Sequence, residues 1–289
     1  MLRLGGICMK KKIRRTLFAA IIGFALLFGI SYAVNDDLLI VHYGVAAGKL
    51  SEVVRIALIT DLHSCQYGEG ESELITAVDS QEPDVVFLVG DIFDDELPHD
   101  NASTFINAMA QRYPCYYVSG NHEYWSKEVD EIKAMVREAG ITILEGDCTQ
   151  LEINGQYINI CGVDDPAYIG VQTMEEQLAS AYEGAAASLQ AANGSGATIL
   201  LAHRPEKIDL YLQYDFDLIL SGHAHGGQWR IPKLLNGLAA PDQGVFPKYA
   251  GGRYDFDGST MIVSRGLARE TTWIPRVFNR PELVIIDFS

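Results

Sequence analysis

The chain has 289 residues, 48% of them apolar, with 22 Lys/Arg against 38 Asp/Glu and a formal charge of −16. Such a length and composition exclude a disordered or fibrous protein and fit one large globular domain or two small ones. All 38 acids but only 16 of the bases fall in residues 36–289, and so acidic a body repels nucleic-acid phosphates rather than gathering them.

The amino terminus carries the opposite sign. KKKIRR at 10–15 precedes LFAAIIGFALLFGISYAV at 17–34, a run without a charge. The run reaches the lower limit for crossing a bilayer, and its basic flank predicts a cytoplasmic side for residues 1–15. We therefore expect a single-pass membrane anchor over 16–34, with the acidic body outside the cytoplasm. The alternative is an export signal removed after the small residues of Ser31-Tyr32-Ala33. Residues 35–49 then read as a linker and 50–289 as one folded domain. The five cysteines, Cys8, Cys65, Cys115, Cys148 and Cys161, form no CxxC and no zinc-finger spacing. They read as small apolar core residues, with pairing among the last four open to an exported chain.

From Val53 the pattern alternates. VVRIALIT (53–60) predicts a strand, 70–80 a short helix, VVFLVG (85–90) a second strand, 103–112 a helix, CYYVS (115–119) a third strand, and 127–139 a helix stopped by Gly140. This β-α-β-α-β-α order is the signature of a layered α/β domain. Strands follow at 141–144, 150–153 and 157–162, the latter two joined by the hairpin turn Asn154-Gly155. Residues 172–192 read as a helix, 197–202 and 217–221 as strands around a helix at 205–213, and 260–264 and 282–288 as closing strands. Between them, 231–258 is rich in Gly, Pro and aromatics and shows no periodicity, which predicts a binding loop or lid.

Five predicted strands run directly into residues that can ligate a metal. They lead to Asp61-Leu62-His63, to Asp91-Ile92-Phe93-Asp94, to Asn121-His122-Glu123, to His203, and to His223-Ala224-His225. In open α/β sheets sites form at the carboxyl ends of strands, so these groups can converge from distant positions. A lone D-x-H or G-D-x-x-D is ordinary turn chemistry; all five in succession are not. Imidazole, carboxylate and carboxamide donors without a thiolate suit Mn, Fe, Zn or Co rather than a closed structural zinc site.

The series DLH…GDIFD…GNHEYW…H…GHAHGGQ resembles the calcineurin-like metallophosphoesterase superfamily. Within it the chain is similar to a bacterial membrane-associated or exported phosphodiesterase-like group, whose pattern continues through GGQWRIP, VSRGLA and PRVFNRPEL. The resemblance covers about residues 50–289. It implies a four-layer αββα sandwich with a dinuclear metal site at the strand ends. By motif position it implies Asp61, His63 and His225 as ligands of one ion, Asp91 as the bridge, and Asn121, His203 and His223 as ligands of the second. His122 would meet the phosphate and leaving group, with Asp94 orienting its ring. The implied activity is hydrolysis of phosphoesters, phosphodiesters in particular, by a hydroxide bridging two divalent ions held roughly 3.5–4 Å apart. Cysteine 65, two residues past His63, would place a thiol near that site. The substrate is expected to be a small phosphoester or a lipid or envelope phosphate, the membrane is expected as a partner through the N-terminal helix, and nucleic acid is not. The competing readings are a lipid-linked or sugar-nucleotide pyrophosphatase at the bilayer, and a tethered module that binds a phosphate ester without turnover.

Overall fold

β-Branched and aromatic runs build two six-stranded mixed sheets in the computed structural model, which describes residues 31–191, 196–269 and 275–289 and five positions between 17 and 29. The first sheet contains β1 (Leu39–Val45), β2 (Val54–Ile59), β3 (Val85–Val89), β4 (Cys115–Val118), the short β5 (Thr142–Ile143) and β14 (Glu282–Phe288), in the order β1-β14-β2-β3-β4-β5. The second contains β6 (Asp147–Ile153), β7 (Gln156–Gly162), β8 (Ala197–Leu201), β9 (Leu218–Ser221), β12 (Gly252–Asp255) and β13 (Thr260–Val263), in the order β12-β13-β9-β8-β7-β6. Strands β2 to β5 run parallel, as do β7, β8, β9 and β13. A small hairpin, β10 (Ala239–Ala240) with β11 (Gly244–Val245), stands apart.

Strict alternation of side chains sorts each strand between two cores. Ile56 and Leu58 of β2, Val85, Phe87 and Val89 of β3, and Val284 and Ile286 of β14 face a central core shared with Ile158, Ile160, Ile199, Leu201, Leu220 and Ile262 of the second sheet. Their neighbours Ala57, Ile59, Val86 and Leu88 face outward instead. There they pack beneath α1 (Ser72–Asp79), α2 (Asp100–Ala110) and α4 (Val129–Glu138) through Leu74, Val78, Phe105, Ile106, Ile132 and Val136. On the far side, Cys161, Leu200, Ile219 and Val263 meet Met174, Leu178 and Ala181 of α6 (Val171–Ala191), and Ile208 and Tyr211 of α7 (Ile208–Tyr211). The layers therefore run helix, sheet, sheet, helix. Short helices α3 (Asn121–Trp125) and α5 (Pro166–Ile169) sit at strand ends.

Three stretches differ from the sequence reading. The segment read as a linker carries β1, which pairs in parallel with the final strand from Leu39↔Glu282 to Val45↔Phe288; its partner lies 243 residues away, beyond the reach of a local pattern. The loop over 231–258 contains the β10–β11 hairpin and edge strand β12, too short and Gly-rich to show a period. Cys148 and Cys161, read as apolar core residues, form a disulfide, because the Asn154-Gly155 turn brings them opposite one another in the β6–β7 register. Cys65 and Cys115 are buried thiols as expected. The anchor read over 16–34 lies mostly outside the described residues, and among those described no helix is long and apolar enough to cross a membrane.

Phe87 tests this layering, since its fully buried ring fills the central core between the sheets. Phe87→Ala is expected to cost about 3–5 kcal/mol of unfolding free energy, measured by denaturant titration of the full chain; a loss below 1 kcal/mol would contradict a tightly packed inter-sheet core.

Candidate functional site

The parallel strands of both sheets end on the same side, and their last residues hand over to the polar motifs. Asp61 and His63 follow β2, Asp91 and Asp94 follow β3, Asn121 and His122 open α3 after β4, His203 follows β8, and His223 and His225 follow β9. All seven residues read as ligands are buried. Ligand atoms of Asp61, His63, Asp91 and His225 lie within 4.8 Å of one another, as do those of Asp91, His203 and His223. Asp91 belongs to both groups.

Hydrogen bonds within the first sheet and between the two sheets lock the arrangement. The amide of His223 donates to Asp61 Oδ1 at 2.9 Å, and that of His122 to Asp91 Oδ1 at 2.8 Å. Asp91 Oδ2 meets His203 Nε2 at 3.0 Å. Asp61, His63, Asp91, His223 and His225 all have left-handed backbone, with φ between 45° and 64°, a conformation that costs non-glycine residues energy and persists where surrounding structure imposes it. Two glycines permit the close approach: a Cβ at Gly90, itself left-handed, would collide with the His203 ring, and one at Gly120 with the Asp91 carboxylate.

Three of the candidate ligand histidines have one nitrogen committed elsewhere. Nδ1 of His203 donates to the Val89 carbonyl at 2.9 Å, and Nδ1 of His63 to Asp94 Oδ2 at 3.0 Å. Nε2 of His223 meets Asp242 Oδ2 at 3.0 Å. The Val89 carbonyl and the Asp94 carboxylate select the Nδ1–H tautomers of His203 and His63, Arg204 Nη1 also lies 3.1 Å from His223 Nε2, and His203 Nε2, His63 Nε2 and His223 Nδ1 face inward. Asp61 Oδ2, His63 Nε2, Asn121 Oδ1, His223 Nδ1 and His225 Nδ1 are buried without a hydrogen-bond partner among the described residues. Orphaned buried polar atoms are costly, and here they are electron-pair donors of the types that bind divalent transition ions. The residues fit a metal centre on that ground.

Electrostatics point the same way. Burial alone would lower the pKa of His203, but the Asp91 carboxylate outweighs it and lifts the value to about 10. Burial likewise opposes the charge on Asp91, yet the His203 contact holds its carboxyl well below the usual range. His225, desolvated and near His63 and Arg276, is pushed well below the ordinary histidine value, towards the neutral ligand form. The cluster binds positive charge, and a proton takes that role when a cation does not.

One expected role moves. Asp94 was assigned to orient His122, but its carboxylate bonds His63 and lies 3.8 Å from His122 Nδ1. Asp95, the next residue, accepts from His122 Nδ1 at 2.6 Å. The loop after β3 turns so that consecutive carboxylates serve two histidines, which spacing could not resolve. His122 stands at the mouth, its ring edge-on to His63 with centroids 4.2 Å apart and beside Trp125. Cys65 is buried on the α1–α2 side of the first sheet, where it packs in the outer core and its sulfur accepts from the Arg269 amide.

Several supporting residues escaped the reading. Glu123 accepts from the amides of Asp91, Ile92, Phe93 and Gly120 and so pins the β3 and β4 loops together. Arg204 bonds Asp165 through Nε at 2.6 Å and Nη2 at 3.0 Å, and pairs through Nη1 with Asp242. The His223 bond leads that pairing in holding Asp242 down to about 2. Asp165 could have been found, since Asp164-Asp165 follow β7 as the other motifs follow their strands. Asp242, in the aperiodic loop, left no signal.

Residues 54–227 match the calcineurin-like phosphoesterase family. The chain is 32% identical over 248 residues to an uncharacterized metallophosphoesterase of Campylobacter jejuni, covering 83% of this chain and 60% of that protein's length. It is 25% identical to phosphodiesterase YaeI of Escherichia coli, covering 81% of each. Among solved structures, the NAD nucleotidase NadN of Haemophilus influenzae shares the fold, with a TM-score of 0.53 and 17% identity over 75% of this chain and 46% of that one. The strand-end motifs, their convergence on Asp91 and the match over residues 54–227 together place the chain in the calcineurin-like phosphoesterase family.

Proposed function

We propose that this protein is a metal-dependent phosphodiesterase with a dinuclear centre, anchored by residues 16–34 with its domain outside the cytoplasm. The observation that carries the reading is the set of buried donor atoms without partners, converging on Asp91 from both sheets. Asp61, His63, Asp91 and His225 would hold one cation, and Asp91, Asn121, His203 and His223 the other. Divalent cations there supply Lewis-acid polarisation of a phosphate ester and acidify a water to near-neutral pKa.

The chain's own groups do the rest. Asp94 and the Val89 carbonyl hold the rings of His63 and His203 in their ligating tautomers, and Asp242 with Arg204 fixes the position of the His223 ring. His122, fixed by Asp95, stabilises charge developing on the phosphate and hands a proton to the departing alkoxide. The name of the Escherichia coli relative supports a diester substrate. The Cys148–Cys161 pair suits an oxidising compartment and so supports the exported topology. A complete donor set argues against a module that only binds phosphate.

Full-length chain with Mn²⁺ is expected to hydrolyse bis(p-nitrophenyl) phosphate, and Asp91→Asn to fall to the metal-free background. Wild-type rates no higher than the variant's with Mn²⁺, Fe²⁺, Zn²⁺ and Co²⁺ would sink the enzyme reading. Calorimetry offers a check independent of turnover: a cation at about 100 times its Kd contributes roughly 2.7 kcal/mol, a rise in Tm of about 5–10 °C, which Asp91→Asn loses.

The two neighbouring carboxylates should separate in a paired measurement. Asp94→Asn and Asp242→Asn are expected to weaken metal affinity about 10–100-fold. Asp95→Asn should leave affinity unchanged and lower kcat most for esters with poor leaving groups. Equal effects of Asp94→Asn and Asp95→Asn on both quantities would refute this division of roles.

A further inference from the structure

The GNHEYW segment supplies Asn121 and His122 to the candidate site, and its last two residues take no part in that chemistry. They are large rings left in water, Tyr124 41% exposed and Trp125 49%. Helix α3 decides where they stand. Positions 122 and 125 are three apart and share a face, and the Trp125 ring packs beside His122 with centroids 4.9 Å apart. His122 is held against it, since Nδ1 meets Asp95 Oδ1 at 2.6 Å and the ring also meets His63 edge-on.

Trp125 also lines a cleft of about 340 Å³ together with Tyr124, Lys127 and Val129. The Tyr124 ring is backed by Tyr168 of α5 at 5.8 Å, and Val129 is buried at the start of α4. One ring is therefore common to both places: it touches the residue assigned to the departing alkoxide and walls the cleft beside it. A volume of this size is at the small end for ligand pockets, enough for one aryl or nucleoside group and too short for a pair of acyl chains. Among the described residues that line it, only Lys127 carries a charge. The neighbouring cleft, which Asp95 lines with Glu96, His99 and Glu128, is acidic and disfavours an anionic ester. The aromatic cleft is the one suited to the leaving group.

We propose that Trp125 and Tyr124 form a leaving-group subsite that stacks the flat aromatic part of a phosphodiester, an aryl or nucleoside ester, while His122 protonates the departing oxygen. This rests on the role given to His122 above and adds the class of alcohol. The ester P–O bond breaks, its electron pair stays with the alkoxide, and the alkoxide takes the His122 proton and departs along the Trp125 ring. Stacking on an aromatic face accepts any flat ring system. A single nucleoside ester carries too little charge to be turned away by the acidic body that repels polynucleotides.

Full-length chain with Mn²⁺ is assayed on two methyl phosphodiesters, one with p-chlorophenol and one with hexafluoroisopropanol as leaving group. The two alcohols have similar acidity, but only the first is flat. Wild type is expected to prefer the aryl ester through KM. Trp125→Ala is expected to lower kcat/KM about 10–100-fold for the aryl ester, the worth of one aromatic stack, and less than about 3-fold for the alkyl ester. Trp125→Phe should keep most of the aryl preference, and Tyr124→Ala should lose part of it. Equal losses on both esters in Trp125→Ala would overturn the proposal and leave Trp125 as packing for His122. A readout without turnover uses p-nitrobenzylphosphonate, whose P–C bond is not hydrolysed. It is expected to quench tryptophan emission of the Zn²⁺-loaded chain saturably, and Trp125→Phe to lose that component; identical quenching of the two proteins would also refute the subsite. If wild type hydrolyses neither ester with any of the four ions, the enzyme reading falls and the subsite with it, whereas hydrolysis without aryl preference refutes the subsite alone.

Discussion

The Asp91 carboxylate is where the two sheets meet at the candidate site. Asp91 leaves the first sheet after β3, receives the His122 amide from the β4 side, and meets His203 from the second sheet. Its burial is complete, so its charge must be met by positive groups or cations rather than by water. Both candidate ligand groups contain it. Moving the sheets apart by the width of a water molecule would cost this buried charge its His203 partner. The packing of the two sheets and the geometry of the candidate site therefore depend on each other.

That dependence explains the unusual backbone. Five candidate ligands adopt left-handed φ, and glycines at 90 and 120 leave the space their neighbours' side chains occupy. Strain of this kind persists only when packing imposes it, and the strands behind the site are buried throughout, from Val85–Val89 to Ala197–Leu201. The frame keeps the donors in place before any ion arrives, at the cost of orphaned polar atoms that hydrogen bonds do not satisfy. Around the donors lies a ring of supporting groups, Asp94, Glu123, Arg204, Asp165 and Asp242, whose bonds choose tautomers and hold loops.

Much of the fold was legible because buried parallel strands read as uninterrupted apolar runs. Predicted limits at 85–90, 115–119 and 282–288 fall within a residue or so of β3, β4 and β14. Elements held by distant partners were not legible. Strand β1 exists because β14 offers it an edge, and β12 because β13 does. The Cys148–Cys161 bond depends on a hairpin register that places the two residues opposite each other, and side-chain pattern alone does not set which cysteines face.

The sequence by itself singled out the residues that converge at the candidate site, since side chains able to ligate a metal follow β2, β3, β4, β8 and β9 directly. It also determined the sign of the surface and the apolar run at the amino terminus. Only the tertiary structure decided the partnerships: that Asp95 rather than Asp94 holds His122, that Asp242 reaches His223 from an aperiodic loop, and that the Phe278 ring meets Tyr32. The reason is geometric. Residue type and spacing along a chain specify what a side chain can donate or accept, whereas which group it meets is set by loop turns and sheet register, which bring together positions up to 246 residues apart.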